Sequence, residues 1–317
     1  MKALEWLLEP SQPAVRYLTL RDLVVGTSRG DLEEAKRAIP KKGWVTDILS
    51  KQKAEGYWQD AKDLYRPKYL STNWMLLTLS DLGTTKEEPG VGKASRLWME
   101  SYSRPDGGFD TPGAEHSEHC LVGNTARALT KFGYDDEPRV KSALDLLVKT
   151  QKDDGGWHCF PSSTGTIDAW EGMSAFAAYP RQKWTRGIKA AAERGAEFFL
   201  ERKLCRQGSR YDPWFRFHFP YHYYYDILVG LDFMTSLGYG DDRRMTSALS
   251  LLRRKRRDDG KWDLDAVHPD FRDERWPRWR SKYAKYYTPF SLERAGRPSK
   301  MITLRALTVL KRIGESD

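Results

Sequence analysis

The sequence predicts an all-α domain in which a helix pair of about 50 residues recurs and closes into a ring of paired helices. Three observations predict this fold: a long internal repeat, glycine-rich turns that end in an aromatic residue, and helical spacing of apolar residues with almost no strand pattern. Hydrophobic residues make up 39% of the 317 residues, which is enough to form a core. Because repeat architectures reach this length as one unit, we expect a single domain over 1–317.

The repeat is clearest in residues 141–157 (KSALDLLVKTQKDDGGW) and 246–262 (TSALSLLRRKRRDDGKW), which are identical at nine of 17 positions. Related turns end at Trp58 and Phe109, and a degenerate copy occupies 206–214. The aromatic ends recur at intervals of about 50 residues, so we expect about five repeats. Three tryptophans of these turns are expected to be scaffold that clamps neighbouring repeats together: Trp58, Trp157 and Trp262.

Each period has an amphipathic helix before the turn and a more apolar helix after it. Outer helices are predicted over 33–52, 90–104, 137–151, 187–204 and 242–257. Inner helices are predicted over 12–25, 71–82, 118–132, 166–179, 221–237 and 299–313. The first and last inner helices are both apolar and each needs an apolar neighbour, so we expect the two ends of the chain to meet and close the ring.

The net charge of +9 leaves three interpretations open: a solvated surface, attraction of an anionic ligand, or contact with an anionic membrane surface. The densest basic run, 253–257, ends a helix, where cations are favourable in any case. No nucleic-acid-binding module is recognisable, so we expect no nucleic-acid partner. No apolar stretch approaches the ~20 residues that span a bilayer, and the first ten residues lack a signal-peptide pattern. We expect a cytoplasmic protein, with peripheral membrane association left open.

Turns of the form Q-K-x-D-G-G-W between helices resemble the QW-type repeats of squalene–hopene and oxidosqualene cyclases and the related repeats of protein prenyltransferase β subunits. The residues that carry the likeness are Gln52–Trp58, Pro105–Phe109, Gln151–Trp157 and Arg257–Trp262, and it spans nearly the whole chain. The resemblance implies an (α/α)6 toroid that acts on an apolar isoprenoid-type ligand in a central aromatic-lined cavity. The D-x-D-D and D-D-x-x-D signatures of these chemistries are missing, so the resemblance is specific for the fold and much less so for the chemistry.

In such a ring the N-terminal ends of the inner helices face the cavity mouth, where free N–H groups and the helix dipole favour polar ligands. The third inner helix begins with Glu118 and His119, which are candidate catalytic groups. Asp226 lies in the most apolar inner helix and is either a structural acceptor or an acid with a raised pKa. Asp168, at the start of the fourth inner helix, is the next candidate acid.

The most aromatic part of the chain is 214–225, around the start of the fifth inner helix. Aromatic faces stabilise cationic intermediates, although such rings equally fill a tapering core. The long segment 263–298 is aromatic and basic and is expected to cover the cavity mouth. The predicted ligand-binding residues are Trp170, Glu171, Trp214, Phe217, Tyr223, Tyr225, Asn124, Arg16 and Lys300.

A zinc site is a further hypothesis for the same end of the ring, with Cys120, Cys159 and His222 as ligands. Zinc binds cysteine and histidine in tetrahedral arrangements. The spacing is not C-x-x-C, so buried free thiols and a hydrogen-bonded histidine are the alternative. Three cysteines in total do not indicate a disulfide framework.

Two other functions stay open beside a terpenoid cyclase or prenyltransferase-like enzyme. A non-catalytic toroid that binds a hydrophobic or anionic ligand or a peptide is favoured by the missing signatures. A carbohydrate-active toroid would need two carboxylates at a defined separation with aromatic sugar platforms. Asp168, Glu171 and Asp226 are the carboxylates available for that chemistry.

Overall fold

A computed structural model describes residues 2–208, 210–267 and 290–315. Over these ranges the chain forms thirteen α-helices and no β-strand beyond isolated bridges, which confirms the predicted all-α class. The helices are α1 (Lys2–Leu7), α2 (Pro13–Asp22), α3 (Arg29–Ala38), α4 (Trp44–Leu49), α5 (Thr72–Asp81), α6 (Pro89–Tyr102), α7 (His119–Lys131), α8 (Pro138–Thr150), α9 (Glu171–Ala178), α10 (Arg186–Glu201), α11 (Ile227–Ser236), α12 (Thr246–Arg254) and α13 (Lys300–Arg312).

Every predicted helix has a counterpart, but three bounds differ. The predicted outer helix 33–52 is divided into α3 and α4, because Gly43 has a φ of +77°, which cannot continue an α-helix. The predicted inner helix 166–179 begins only at Glu171. The predicted inner helix 221–237 begins at Ile227, so the aromatic run before it is irregular backbone. The short α1 was not predicted.

Four turns of the repeat share one backbone conformation. In each, a glycine with positive φ donates its N–H to the carbonyl three residues earlier. The N–H of the residue that bears this carbonyl donates in turn to the carbonyl of the residue after the glycine. The four glycines are Gly56, Gly107, Gly155 and Gly260. Because positive φ values are costly for other residue types, the glycine at this position is a requirement of the turn.

The turn tryptophans are buried and hydrogen-bonded in the same way in three copies. The indole Nε1 of Trp58, Trp157 and Trp262 donates to the carbonyl ten residues earlier, at 2.8–2.9 Å. The amide of Gln151 bonds both its own turn, at Gly155, and the next outer helix, at Ala191. The tryptophan bonds fix each turn to the helix before it, and the Gln151 bonds join α8 to α10. The degenerate copy differs, because its Trp214 donates to Asp168 instead.

Six helices, α2, α5, α7, α9, α11 and α13, line one cavity of about 390 Å³. Helices α5 and α7 contribute residues near their C-terminal ends, and α2, α9, α11 and α13 contribute residues from both halves. The last helix packs against both α2 and α11, so the two ends of the chain meet. Helix α9 packs closely on α7, since a Cβ atom added at Gly123 would lie 2.5 Å from the carbonyl carbon of Glu171.

The long segment 263–298 is described only at its two ends. Leu264 and Arg297 are paired through backbone hydrogen bonds, and Asp265 bonds Phe217, so both ends are anchored to the body of the domain. Of the segment predicted to cover the cavity mouth, 263–298, residues 268–289 lie outside the described residues. No helix in the described part of the chain has the length and apolar character needed to cross a membrane.

Candidate functional site

Glu171 is a buried carboxyl group without a hydrogen-bond partner among the described residues. It is the first residue of α9 and is 1% exposed, and neither carboxyl oxygen has a hydrogen-bond partner among the described residues. Burial raises the pKa of Glu171 well above its ordinary value. Because an unpaired buried carboxylate is costly, burial favours the protonated form of this group. A neutral carboxylic acid of this kind is a proton donor.

Glu171 lies at the N-terminal end of α9, next to Trp170, which lines the cavity. Glu171, Ser174 and Ala178 share one helix face, since they are spaced three and four residues apart, and Ser174 and Ala178 line the cavity. On α5, Asn73 likewise lies on the same helix face as Ser80, which lines the cavity. Both amide atoms of Asn73 are buried without a partner in the described structure. Two unpartnered polar groups therefore lie at the N-terminal ends of α9 and α5.

The C-terminal ends of α5 and α7 carry charged groups instead. Asp81 accepts from Arg127 Nη1 at 3.0 Å and from Lys131 Nζ at 2.7 Å, through the same oxygen. Burial opposes ionisation of Asp81, but the charges of Arg127 and Lys131 more than offset it and lower its pKa. Arg127 also lies over the Trp170 ring, 5.4 Å from its centroid. These groups all line the cavity.

A second ion-pair cluster lines the same cavity. Asp232 Oδ1 accepts from Arg312 at 2.8 Å, and Asp232 Oδ2 lies 3.5 Å from Arg305 Nε. Burial raises the pKa of Asp232, but the charges of Arg305 and Arg312 outweigh it and lower the pKa. The guanidinium carbon of Arg305 lies 3.5 Å from the ring centroid of Tyr221. The cavity is therefore lined by polar and charged groups more than by aromatic rings.

A pair of thiols lies at the start of α7. The Cys120 thiol donates to Glu118 Oε2 at 3.7 Å, and interaction with Cys159 raises the pKa of Cys120 and lowers that of Cys159. His119 holds the two segments together, because its Nδ1 lies 3.0 Å from the His158 carbonyl oxygen. Burial lowers the pKa of His119, so the ring is neutral at neutral pH. Burial and the nearby Asp110 raise the pKa of the half-buried Glu118.

The predicted zinc ligands do not form one set. Within residues 2–208, 210–267 and 290–315, no three histidine, cysteine, aspartate or glutamate side chains come together as a metal-binding group. The His222 ring is stacked on Tyr69 at 5.3 Å and its Nε2 lies 3.3 Å from the Thr78 hydroxyl. The structure thus pairs Cys120 with Cys159 and places His222 in an aromatic cluster with Tyr69, Trp74 and Tyr223.

The two predicted acids occupy capping and bridging positions. Asp226 is the N-cap of α11 and accepts from Val229 N at 2.8 Å through one oxygen. Its other oxygen lies 3.0 Å from His218 N and 2.6 Å from His218 Nδ1. Asp168 is exposed and accepts from Trp214 Nε1 at 2.7 Å. These contacts account for both carboxylates structurally, and their catalytic roles stay predictions.

Of the predicted ligand-binding residues, Trp170 lines the cavity. Arg16 donates to the Leu8 carbonyl at 2.7 Å, and Lys300 pairs with Glu9 at 2.9 Å, so both join the N-terminal segment to the body of the domain. The others are held by neighbouring groups: Asn124 by Arg127, Phe217 by Asp265, Tyr225 by the Leu204 carbonyl, and Tyr223 by Tyr69 and Tyr224.

Sequence reasoning missed the charged groups of the cavity. Arg127 and Lys131 are four residues apart in α7, and Arg305 lies in the middle of the apolar helix α13. The available signal was a charged residue within an otherwise apolar inner helix, because charges are rarely buried unless paired. Asp81 and Asp232 carry the same signal on α5 and α11.

Comparison with known proteins finds no matching family model and no matching curated protein. Among solved structures, the apo type II terpene cyclase MstE from Scytonema is 16% identical, with a TM-score of 0.46 over 96% of this chain and 88% of that one. A protein from Actinoplanes is 15% identical, with a TM-score of 0.45 over 96% of this chain and 90% of that one. A variant of MstE in complex with the substrate geranylgeranyl dihydroxybenzoate is 14% identical, with a TM-score of 0.35 over 99% of this chain and 98% of that one. Similarities of this size do not assign a function.

Proposed function

We propose that this chain is a terpenoid-cyclase-like enzyme with an (α/α)6 toroid fold, in which Glu171 protonates an alkene of an isoprenoid-type ligand. The observation that carries the proposal is the buried and unpartnered carboxyl of Glu171. Burial keeps the carboxyl protonated, and the charge of Arg127 favours the carboxylate that remains after proton transfer. The QW-like turns support the toroid and the isoprenoid class of ligand.

The proposed reaction begins with transfer of the Glu171 proton to one alkene carbon. The alkene π electrons form the new C–H bond and leave a carbocation on the other carbon, while Glu171 becomes a carboxylate. Arg127 favours that carboxylate through its charge, and the Trp170 ring next to Glu171 in sequence is a face for the cation. A second alkene attacks the cation to close a ring, and loss of a proton restores an alkene. The product is an isomer of the substrate.

The test is turnover of two probes, squalene and geranylgeranyl dihydroxybenzoate, in D2O. We expect a cyclised product that carries one deuterium from the wild-type protein. Glu171→Gln, which keeps the shape but has no acidic proton, should lower turnover by about 10²–10⁴-fold. Glu201→Gln is the matched control, because Glu201 is exposed at the end of α10. Unchanged turnover in Glu171→Gln would refute the assignment and direct attention to Asp226, Asp168, Glu118 and His119.

The charged lining of the cavity favours a second candidate function, a toroid that binds an anionic ligand without turnover. Wild-type protein that binds a probe but leaves it unchanged after prolonged incubation would support this alternative. Zinc and peripheral membrane association stay separate predictions. Elemental analysis of the wild type beside Cys120→Ser and Cys159→Ser tests zinc: near-stoichiometric metal that both variants lose would make these thiols ligands.

A further inference from the structure

The cavity at the C-terminal ends of α5 and α7 has an excess of positive charge. Among the described residues that line it, Arg21 and Asp22 form a pair with each other at 2.6 Å. The remaining charged groups are four cations and two carboxylates: Arg127, Lys131, Arg305 and Arg312 with Asp81 and Asp232. The two clusters act on each other across the cavity, since Arg305 contributes to the lowered pKa of Asp81 and Lys131 to that of Asp232. The groups that line the cavity therefore carry a net charge of +2.

Two of these cations have hydrogen-bond donors to spare. The Arg305 side chain is 13% exposed and makes no hydrogen bond to a described residue, because its contact with Asp232 is 3.5 Å long. Stacking on Tyr221 holds the plane of its guanidinium in place. Arg127 is 3% exposed, and its Nε is buried without a partner. A guanidinium offers its donors in a planar fork that matches the oxygens of a carboxylate or a phosphate.

The helix dipole does not account for the positions of Arg127 and Arg305. Cations are favourable in the last turn of a helix, which explains Lys131 and Arg312 at the ends of α7 and α13. Arg305 is in the middle of α13, and Arg127 precedes the last turn of α7. Burying charge that is incompletely paired costs several kcal/mol unless a partner is supplied.

We propose that this cavity binds a small doubly charged oxyanion, whose oxygens accept from Arg305 and Arg127. Lys131 and Arg312, each about one-third exposed, lie at the rim. The charge of the ligand matches the excess of the lining. A volume of about 390 Å³ lies within the range of roughly 300–1,000 Å³ that is usual for ligand sites. The site shares Arg127 with the proposed protonation at Glu171, but its test measures binding and does not depend on turnover.

The experiment is isothermal titration calorimetry of the full chain at low ionic strength with inorganic phosphate, with succinate and with chloride. We expect saturable binding of phosphate or succinate and none of chloride at the same ionic strength. Tighter binding of phosphate than of succinate would identify a phosphate-type ligand, and the reverse order a dicarboxylate. Failure of the wild-type protein to bind either dianion would overturn the proposal.

Two variants test the role of Arg305. Arg305→Lys keeps the charge beside Asp232 but removes the planar fork, so affinity for the dianion should fall at least tenfold while the melting temperature stays close to that of the wild type. Arg305→Met should abolish binding. The matched control is Arg210→Met, because Arg210 is exposed and pairs with Asp212 outside the cavity. Equal dianion affinity in Arg305→Lys and the wild type would overturn the assignment of Arg305.

Discussion

The N-terminal and C-terminal ends of the cavity-lining helices bury polar groups in opposite ways. At the N-terminal end of α9, Glu171 is without a partner, and burial keeps it neutral by raising its pKa. At the C-terminal end of α5, Asp81 is equally buried, but two cations keep it ionised by lowering its pKa. Arg127 and Lys131 donate to Asp81, whereas no described group donates to Glu171. The hydrogen-bond partners on a neighbouring helix therefore decide whether a buried carboxyl is an acid or an ion-pair partner.

The largest effect should come from removal of the ion-pair carboxylate. Asp81→Ala leaves Arg127 buried with an uncompensated charge, which should lower the free energy of unfolding by about 3–5 kcal/mol. Urea denaturation measures the change. Glu33→Ala removes an exposed pair with Arg29 and should change stability by less than about 1 kcal/mol. A loss at Asp81 as small as that at Glu33 would mean that the charged cluster is not a buried network.

A smaller effect is expected where α7 and α9 touch. Gly123→Ala places a Cβ atom 2.5 Å from the carbonyl carbon of Glu171, which is backbone and cannot rotate away. The resulting overpacking should lower the free energy of unfolding by about 1–3 kcal/mol. Gly30→Ala is the control, because its nearest neighbour is the Ser28 hydroxyl at 3.7 Å in the exposed helix α3. Equal stability of Gly123→Ala and Gly30→Ala would show that the contact at Glu171 is loose.

The pH dependence of stability separates the two carboxyls. The pKa of Glu171 is raised in the folded state, so its contribution is fully present below the ordinary glutamate pKa and is lost as the pH rises through the raised value. Over that window the wild type should lose up to about 1.4 kcal/mol per pH unit relative to Glu171→Gln. The pKa of Asp81 is lowered, so its contribution is present above the ordinary aspartate pKa and is lost on acidification.

Urea denaturation of wild type and Glu171→Gln at a series of pH values from 4 to 9 measures this difference. The comparison uses the slopes and not the absolute stabilities, because the amide introduces two donors of its own. Parallel curves for the two proteins would show that Glu171 titrates as an ordinary surface glutamate, and the acid role would fail with it.

The repeat itself could be predicted from the sequence because it depends on local chemistry. A glycine with positive φ and a tryptophan ten residues after a helix carbonyl recur at fixed spacing, so Trp58, Trp157 and Trp262 could be identified as scaffold before the fold was known. Helix starts were harder to predict. Asp226 looked like a residue within an inner helix, yet it is the cap of α11, because the aromatic run before it packs as irregular backbone.

The sequence alone determined the all-α class, the period of about 50 residues and the positions of the outer and inner helices, because these depend on turn residues and apolar spacing within short segments. The tertiary structure decided which polar residues face the cavity and which of them have partners. Glu171 differs from Asp81 only through what other helices place beside each carboxyl. Arg127 and Lys131 are about 45–50 residues from Asp81 along the chain, so no local sequence pattern indicates these contacts. Both the candidate acid and the candidate anion site therefore became visible only in the tertiary structure.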